Sequence, residues 1–127
     1  MNPTTLLLRQ VHPNWVKEDG TAASPAFWPF PKDKNLLSVD DGDRVSPENS
    51  WKHFTSRPDC KSAGVWGFLV QEATDYNLPC ADDPQADNPY HVLVDFSTHH
   101  EKQQKAKAKI LSARANSRGC LFKPESV

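Results

Sequence analysis

The sequence predicts an α+β domain: a small mixed or mainly antiparallel sheet of about four strands, one short helix and one long C-terminal helix, rich in loops. Three observations carry this. Apolar segments of strand length recur at TTLLLRQV (4–11), LLSV (36–39), GVWGFLVQE (64–72) and YHVLVDF (90–96). Two stretches carry helix-start signals, Ser46-Pro47-Glu48 and Thr98-His99-His100-Glu101. Eleven prolines and a mean hydropathy of −0.69 leave a large share of the chain to turns and loops. At 127 residues the chain is a single domain (1–127), read as an α+β body (1–97), a basic C-terminal helix (98–118) and a tail (119–127).

Alternation in the first strand puts Leu6 and Leu8 on one face and Leu7, Arg9 and Val11 on the other. Arg9 among apolar neighbours has two readings. Its long stem carries the charge to solvent from an edge strand, or its guanidinium lines a pocket for a phosphate or carboxylate. His12-Pro13 ends the strand, because proline cannot donate to the ladder and restrains the residue before it. Residues 13–25 read as loop, closed by Gly20. Phe27, Trp28 and Phe30 alternate with Pro25, Pro29 and Pro31, a density that forms either core and lid or a docking wall. After LLSV, Asp41-Gly42 supplies a reversal.

The short helix spans about residues 47–55: Ser46 caps free amides, Pro47 suits the first helical position, and Glu48 faces the positive dipole end. Trp51 and Phe54, three apart, pin it to the body. In the third strand Trp66, Phe68 and Val70 share a face, with room left at Gly67. Residues 75–89 are a long Pro-, Asp- and Asn-rich loop with Leu78 and Cys80 as anchors, a functional or mobile segment. In the last strand Val92, Val94 and Phe96 share one face and His91, Leu93 and Asp95 the other. Thr98 and Glu101 fit a capping box for the final helix, and Gly119 stops it. Its apolar stripe is thin, Ala106, Ile110 and Ala113 with Leu111 alongside, so weak docking is expected.

A formal net charge of −1 gives no global argument for nucleic acid, membrane or acidic ligands, but residues 1–100 hold 8 Lys/Arg against 14 Asp/Glu, whereas residues 101–127 hold 7 against 2. Three widely spaced cysteines support neither a disulfide framework nor a zinc site. No apolar run approaches the roughly 20 residues of a membrane span, and residues 4–8 are too short for a signal peptide's apolar region. A reducing cytoplasm is the expected compartment.

Three constellations bear on chemistry. Lys102, Lys105, Lys109 and Arg114 on the final helix present either a solvated face or a salt-sensitive contact for nucleic-acid phosphates. The histidines, His53 and His91 among them, can shuttle protons when a carboxylate orients them. His91 and Asp95 lie about 13 Å apart along one strand face, too far to bond, so other partners are required. Asp40-Asp41-Gly42-Asp43 lacks the ligand order of a calcium loop and reads as a turn, so no metal site is expected. Walker A, G-x-G-x-x-G, G-x-S-x-G and H-E-x-x-H patterns are absent.

The segments RQVHPNWV (9–16), PKDKNLLSVDDGD (31–43), SPENSWKHF (46–54) and DNPYHVLVDF (87–96) resemble a group of short uncharacterised bacterial proteins, which implies a bacterial origin. The order of Arg9 in the first strand, an aromatic loop, the LSV strand and a helix opened by Ser-Pro-Glu is also similar to the front half of RES-type and other ADP-ribosyltransferase-like domains. That likeness implies NAD bound in a cleft, Arg9 on a cofactor phosphate and Ser38 lining the cleft. Such domains place a catalytic glutamate deeper in the helix, where this chain has Trp51, Lys52, His53 and Phe54; Glu48 stands a turn away.

Three functions follow as expectations. The leading one is a cytoplasmic binding or accessory module that recognises a protein partner through Phe27, Trp28, Phe30 and Tyr76, with no cofactor and no membrane. The second is nucleic-acid binding by the basic helix. The third is an NAD-using, ADP-ribosyltransferase-like or toxin-like enzyme drawing on Arg9, Ser38, Glu48, His53 or His91.

Overall fold

The computed structural model describes residues 1–125. Strands β1 (Leu6–Val11), β2 (Leu36–Asp41), β3 (Gly64–Leu69), β4 (Cys80–Asp82) and β5 (His91–Asp95) form one antiparallel sheet in the order β3-β1-β2-β5-β4. Helices α1 (Pro47–Thr55), α2 (Val70–Thr74) and α3 (Glu101–Arg118) complete the α+β fold, with 3₁₀ turns at Pro13–Trp15, Ser24–Phe27 and Pro31–Asp33. Strand register sorts the side chains into two faces. Leu7 lies opposite Phe68, Leu37 opposite Val94 and Val39 opposite Val92. This face is closed by Phe27 from the Ser24–Phe27 turn and by Ala108, Leu111 and Ala115 of α3, all fully buried. Phe27 meets Phe68 edge-on with centroids 6.1 Å apart, and each such buried ring contributes roughly 1.5–3 kcal/mol. The other face carries Leu8, Gln10, Ser38, Asp40 and His91, and α1 packs over part of it.

Helix α1 begins as its residues dictate: the Ser46 hydroxyl accepts from the Asn49 amide at 3.1 Å, with Pro47 first in the helix. Trp51 anchors it by donating to the Ser62 carbonyl (2.9 Å) and packing against the tilted Phe122 ring, centroids 5.5 Å apart. Phe122 arrives because the chain after Gly119 returns along the sheet edge, where Leu121 donates to Val65 (2.8 Å) and Val65 to Phe122 (2.9 Å).

Four expectations are corrected. The sheet has five strands, because β4 forms inside the segment read as loop and pairs with β5. The third strand stops at Leu69: the Glu72 carboxylate accepts from the Leu69 amide at 2.8 Å and starts α2, burying Val70 and Ala73. No capping box forms at Thr98, since α3 is capped at His100 without a side-chain bond; Gln104 instead reaches back to the Phe96 and His99 carbonyls (3.1 and 2.8 Å). The buried stripe of α3 is Gln104, Ala108, Leu111, Ser112 and Ala115, while Ala106 and Ala113 are exposed. Small residues let the helix sit close to the body, and the Asn116 amide exchanges two 2.9 Å bonds with the Ala22 backbone, so it is firmly docked. Glycine is required at position 42 by close approach, since an added methyl would collide with the Leu6 carbonyl oxygen. Among the described residues no helix is long and apolar enough to cross a membrane.

Candidate functional site

The site begins with a rung missing from the sheet. The β1–β2 ladder pairs Leu7 with Asp41 and Leu8 with Asp40, and the Gly42 amide donates to Leu6 at 2.8 Å. Antiparallel alternation makes Gln10 and Ser38 the next hydrogen-bonded pair, yet that pair is not made. Arg9 spans the gap instead. Its Nη1 donates to the Ser38 carbonyl at 2.9 Å and its Nε to the Ala26 carbonyl at 2.8 Å. The parted strands open a cleft of about 580 Å³, lined by Arg9, Gln10 and Ser38 together with side chains from α1 and the loops. Burial lowers the Arg9 pKa to about 10, with the Asp33 charge pulling the other way. No carboxylate pairs with Arg9 among the described residues. Its Nε and Nη1 are the nitrogens with protein hydrogen bonds among the described residues.

A polar chain supports one wall. Gln10 Nε2 donates to Ser50 Oγ (3.0 Å), Ser50 to Asp40 Oδ2 (2.6 Å), and Asn88 Nδ2 to Asp40 Oδ1 (2.8 Å). Ser50 is buried to 1 % exposure, so this chain ties α1, β1, β2 and the loop before β5 into one unit. Gln10 Oε1 is a buried acceptor without a partner. Unpaired buried polar atoms are rare; the other one found among the described residues, Trp28 Nε1, lies outside the cleft lining.

Three histidines line the same cleft, each with its tautomer set by a neighbour. His91 Nδ1 faces the Asp83 carboxylate at 3.0 Å and the Asp83 carbonyl at 3.3 Å, so it carries the proton and Nε2 keeps the lone pair. Gln85 donates to the same carboxylate oxygen at 3.1 Å. His53 Nε2 donates to the Asp87 carbonyl, which leaves Nδ1 as its basic nitrogen. His12 Nδ1 accepts from the Asn14 amide at 3.0 Å, which makes Nε2 a donor. Arg57 and Lys61 add positive charge at the rim, and Trp15 (40 % exposed) and Phe30 (45 % exposed) add aromatic surface.

Of the residues singled out from sequence, Arg9, Ser38, His53, His91 and Phe30 meet in this cleft. Glu48 does not; it lies on the exposed side of α1, 3.5 Å from Lys52. Phe27 is core and has no surface to offer a partner. Trp28 is half-buried beneath the Lys105 ammonium, 4.8 Å from the ring, and Tyr76 is half-buried where its carbonyl accepts from Lys107. On the basic helix Lys102, Lys109 and Arg114 are exposed, while Lys105 also pairs with Glu101 at 3.2 Å. Burial pushes the Cys80 thiol up to about 11, which leaves it protonated and inert at neutral pH. No group of acidic, His and Cys side chains among the described residues has the arrangement of a metal site.

Sequence reasoning missed Asp83, Gln10, Trp15 and Asn88. Asp83 had a signal: once residues 80–82 are paired with β5, the turn brings Asp83 beside His91, as the 2.8 Å bond from its amide to the His91 carbonyl records. Comparisons with protein-family models, curated proteins and solved structures find no match. The fold and the cleft therefore define the class on their own terms: a small α+β domain with a histidine-lined cleft at its sheet, where Arg9, Arg57 and Lys61 stand with the carboxylates of Asp40 and Asp59.

Proposed function

We propose that the protein binds a small organic anion, bearing a phosphate or carboxylate and a planar ring, in the cleft between β1 and β2. One observation carries the reading. A half-buried arginine without a carboxylate partner stands where a ladder rung is missing, and such a charge is stabilised by an anionic ligand. Trp15 and Phe30 supply ring surface at the mouth, and a volume of about 580 Å³ suits a ligand of nucleotide size. NAD belongs to this class, and the likeness to ADP-ribosyltransferase-like domains is in keeping with it through Arg9 and Ser38. The test is thermal shift with AMP and with NAD. Ligand at about 100 times its Kd adds roughly 2.7 kcal/mol and raises the midpoint by several degrees, and Arg9→Met abolishes the rise. Absence of any rise refutes the reading.

A second reading is a protein partner seated on the exposed rings of Phe30 and Trp15. It predicts that Phe30→Ala removes a partner from a native pull-down while leaving the ligand shift intact. Three free cysteines fit the reducing cytoplasm in which either function would operate.

A further inference from the structure

The cleft holds more acid–base apparatus than binding requires. His91 sits on β5 opposite Asp40, and Asp40 sits opposite Leu8, so His91 and the parted segment of β1 share one face of the sheet. The order Gln85, Asp83, His91 is a positioned relay: an amide holds a carboxylate, and the carboxylate holds an imidazole with its free Nε2 lone pair in the cleft. The His91 side chain is 12 % exposed, so its orientation is restrained. His53 is held through the opposite nitrogen by the Asp87 carbonyl. Each imidazole is thus held through one ring nitrogen, which leaves His91 Nε2 and His53 Nδ1 free, and the Arg9 guanidinium, rooted on the opposite face of β1, reaches the same cleft at Ser38.

Resting on the anion-binding reading, we infer that the cleft cleaves single-stranded RNA by metal-independent transesterification. The chemistry fits the parts. His91 Nε2 takes the proton of a ribose 2′-hydroxyl as its oxygen bonds to the adjacent phosphorus. The P–O5′ bond breaks, and His53, after taking a solvent proton on Nδ1 while Nε2 stays on the Asp87 carbonyl, delivers that Nδ1 proton to the departing 5′-oxygen. Arg9 offsets the charge gathered on the phosphoryl oxygens. The products are a 2′,3′-cyclic phosphate and a 5′-hydroxyl end. Nothing is oxidised or reduced, and the two histidines exchange protons with solvent to reset. Trp15 and Phe30 receive the flanking bases by stacking, which is tolerant of sequence. The nucleophile belongs to the substrate, so the protein needs neither a nucleophilic side chain nor a metal.

The experiment incubates the full chain, in EDTA, with a fluorescently labelled oligoribonucleotide and with its all-deoxy counterpart; binding of the deoxy strand is measured separately by thermal shift. The RNA is cut to fragments ending in cyclic phosphate and the DNA is bound but uncut. His91→Asn lowers kcat by about 100-fold or more with KM little changed, and Asp83→Asn lowers it less. Deoxy strand bound with RNA left intact, or cleavage that survives His91→Asn, overturns the inference while the binding reading stands. Failure of the chain to bind either strand, together with AMP and NAD, overturns both. A His91→Asn chain that does not fold is replaced by His91→Gln, judged by the same ratio.

Discussion

Replacing Arg9 by methionine separates what this side chain does for the fold from what it does for a ligand. Burial holds its pKa at about 10, so the folded state disfavours the charged form by about 3 kcal/mol at neutral pH. Because the folded pKa is depressed, this cost is present at every pH below it and is relieved as the pH climbs from about 10 toward the ordinary value. Methionine removes the cost and keeps much of the stem's packing. Against that, the Ala26 and Ser38 carbonyls lose the donors now at 2.8 and 2.9 Å. Ser38 faces the cleft, where solvent replaces the lost bond. Ala26 is only 3 % exposed, and leaving its carbonyl unpaired costs about 1–3 kcal/mol. The two effects offset, so Arg9→Met changes stability by no more than about 2 kcal/mol, a midpoint shift of less than about 10 °C. Thermal unfolding with and without AMP measures both quantities on one instrument. A variant that unfolds outright, or falls by 15 °C or more, makes Arg9 a structural strut and refutes the argument; so does a variant that keeps the full AMP shift.

Three further outcomes test the framework around the cleft. Ser50→Ala removes the hydroxyl shared by Gln10 and Asp40 and lowers stability by about 1–3 kcal/mol in denaturant unfolding. Truncation after Gly119 strips Phe122 from Trp51 and uncovers the β3 edge, and light scattering then detects self-association that the full chain does not show. Burial acts to raise the Glu72 pKa, but hydrogen bonds from Arg118 and the Leu69 amide, with the Arg118 and Arg114 charges, outweigh it and leave the pKa lowered. Its contribution is therefore complete above the ordinary glutamate range and lost as pH falls through the folded value. Acid titration of Glu72→Gln shows a smaller loss below about pH 4.5 than the parent chain does.

Much of the fold is written in local pattern. Alternation assigns Leu7, Arg9 and Val11 to one face of β1 and Val92, Val94 and Phe96 to one face of β5, because successive side chains in a strand point to opposite sides. Ser46-Pro47 opens α1 and Gly119, at φ 84°, closes α3, since caps and left-handed stops depend on one or two residues. The misplaced stripe of α3 shows the limit. Its buried residues are largely Ala, Ser and Gln, so hydrophobicity alone does not reveal the docking face, which was decided by the turn at Ser24–Phe27 and by Asn116 meeting Ala22.

The cleft itself belongs to tertiary structure. Arg9, Ser38, His53, Asp83 and His91 come from five separate stretches of chain, and nothing in their spacing says that β1 and β2 part after Leu8. That parting depends on long-range strand register, on Arg9 taking the place of a backbone rung, and on α1 being tied to the sheet through Ser50. The sequence by itself determined which residues are able to bind an anion or move a proton. Only the packing of the sheet decided that Arg9, Ser38, His53 and His91 line one cleft, because register and strand separation are collective properties of the whole core.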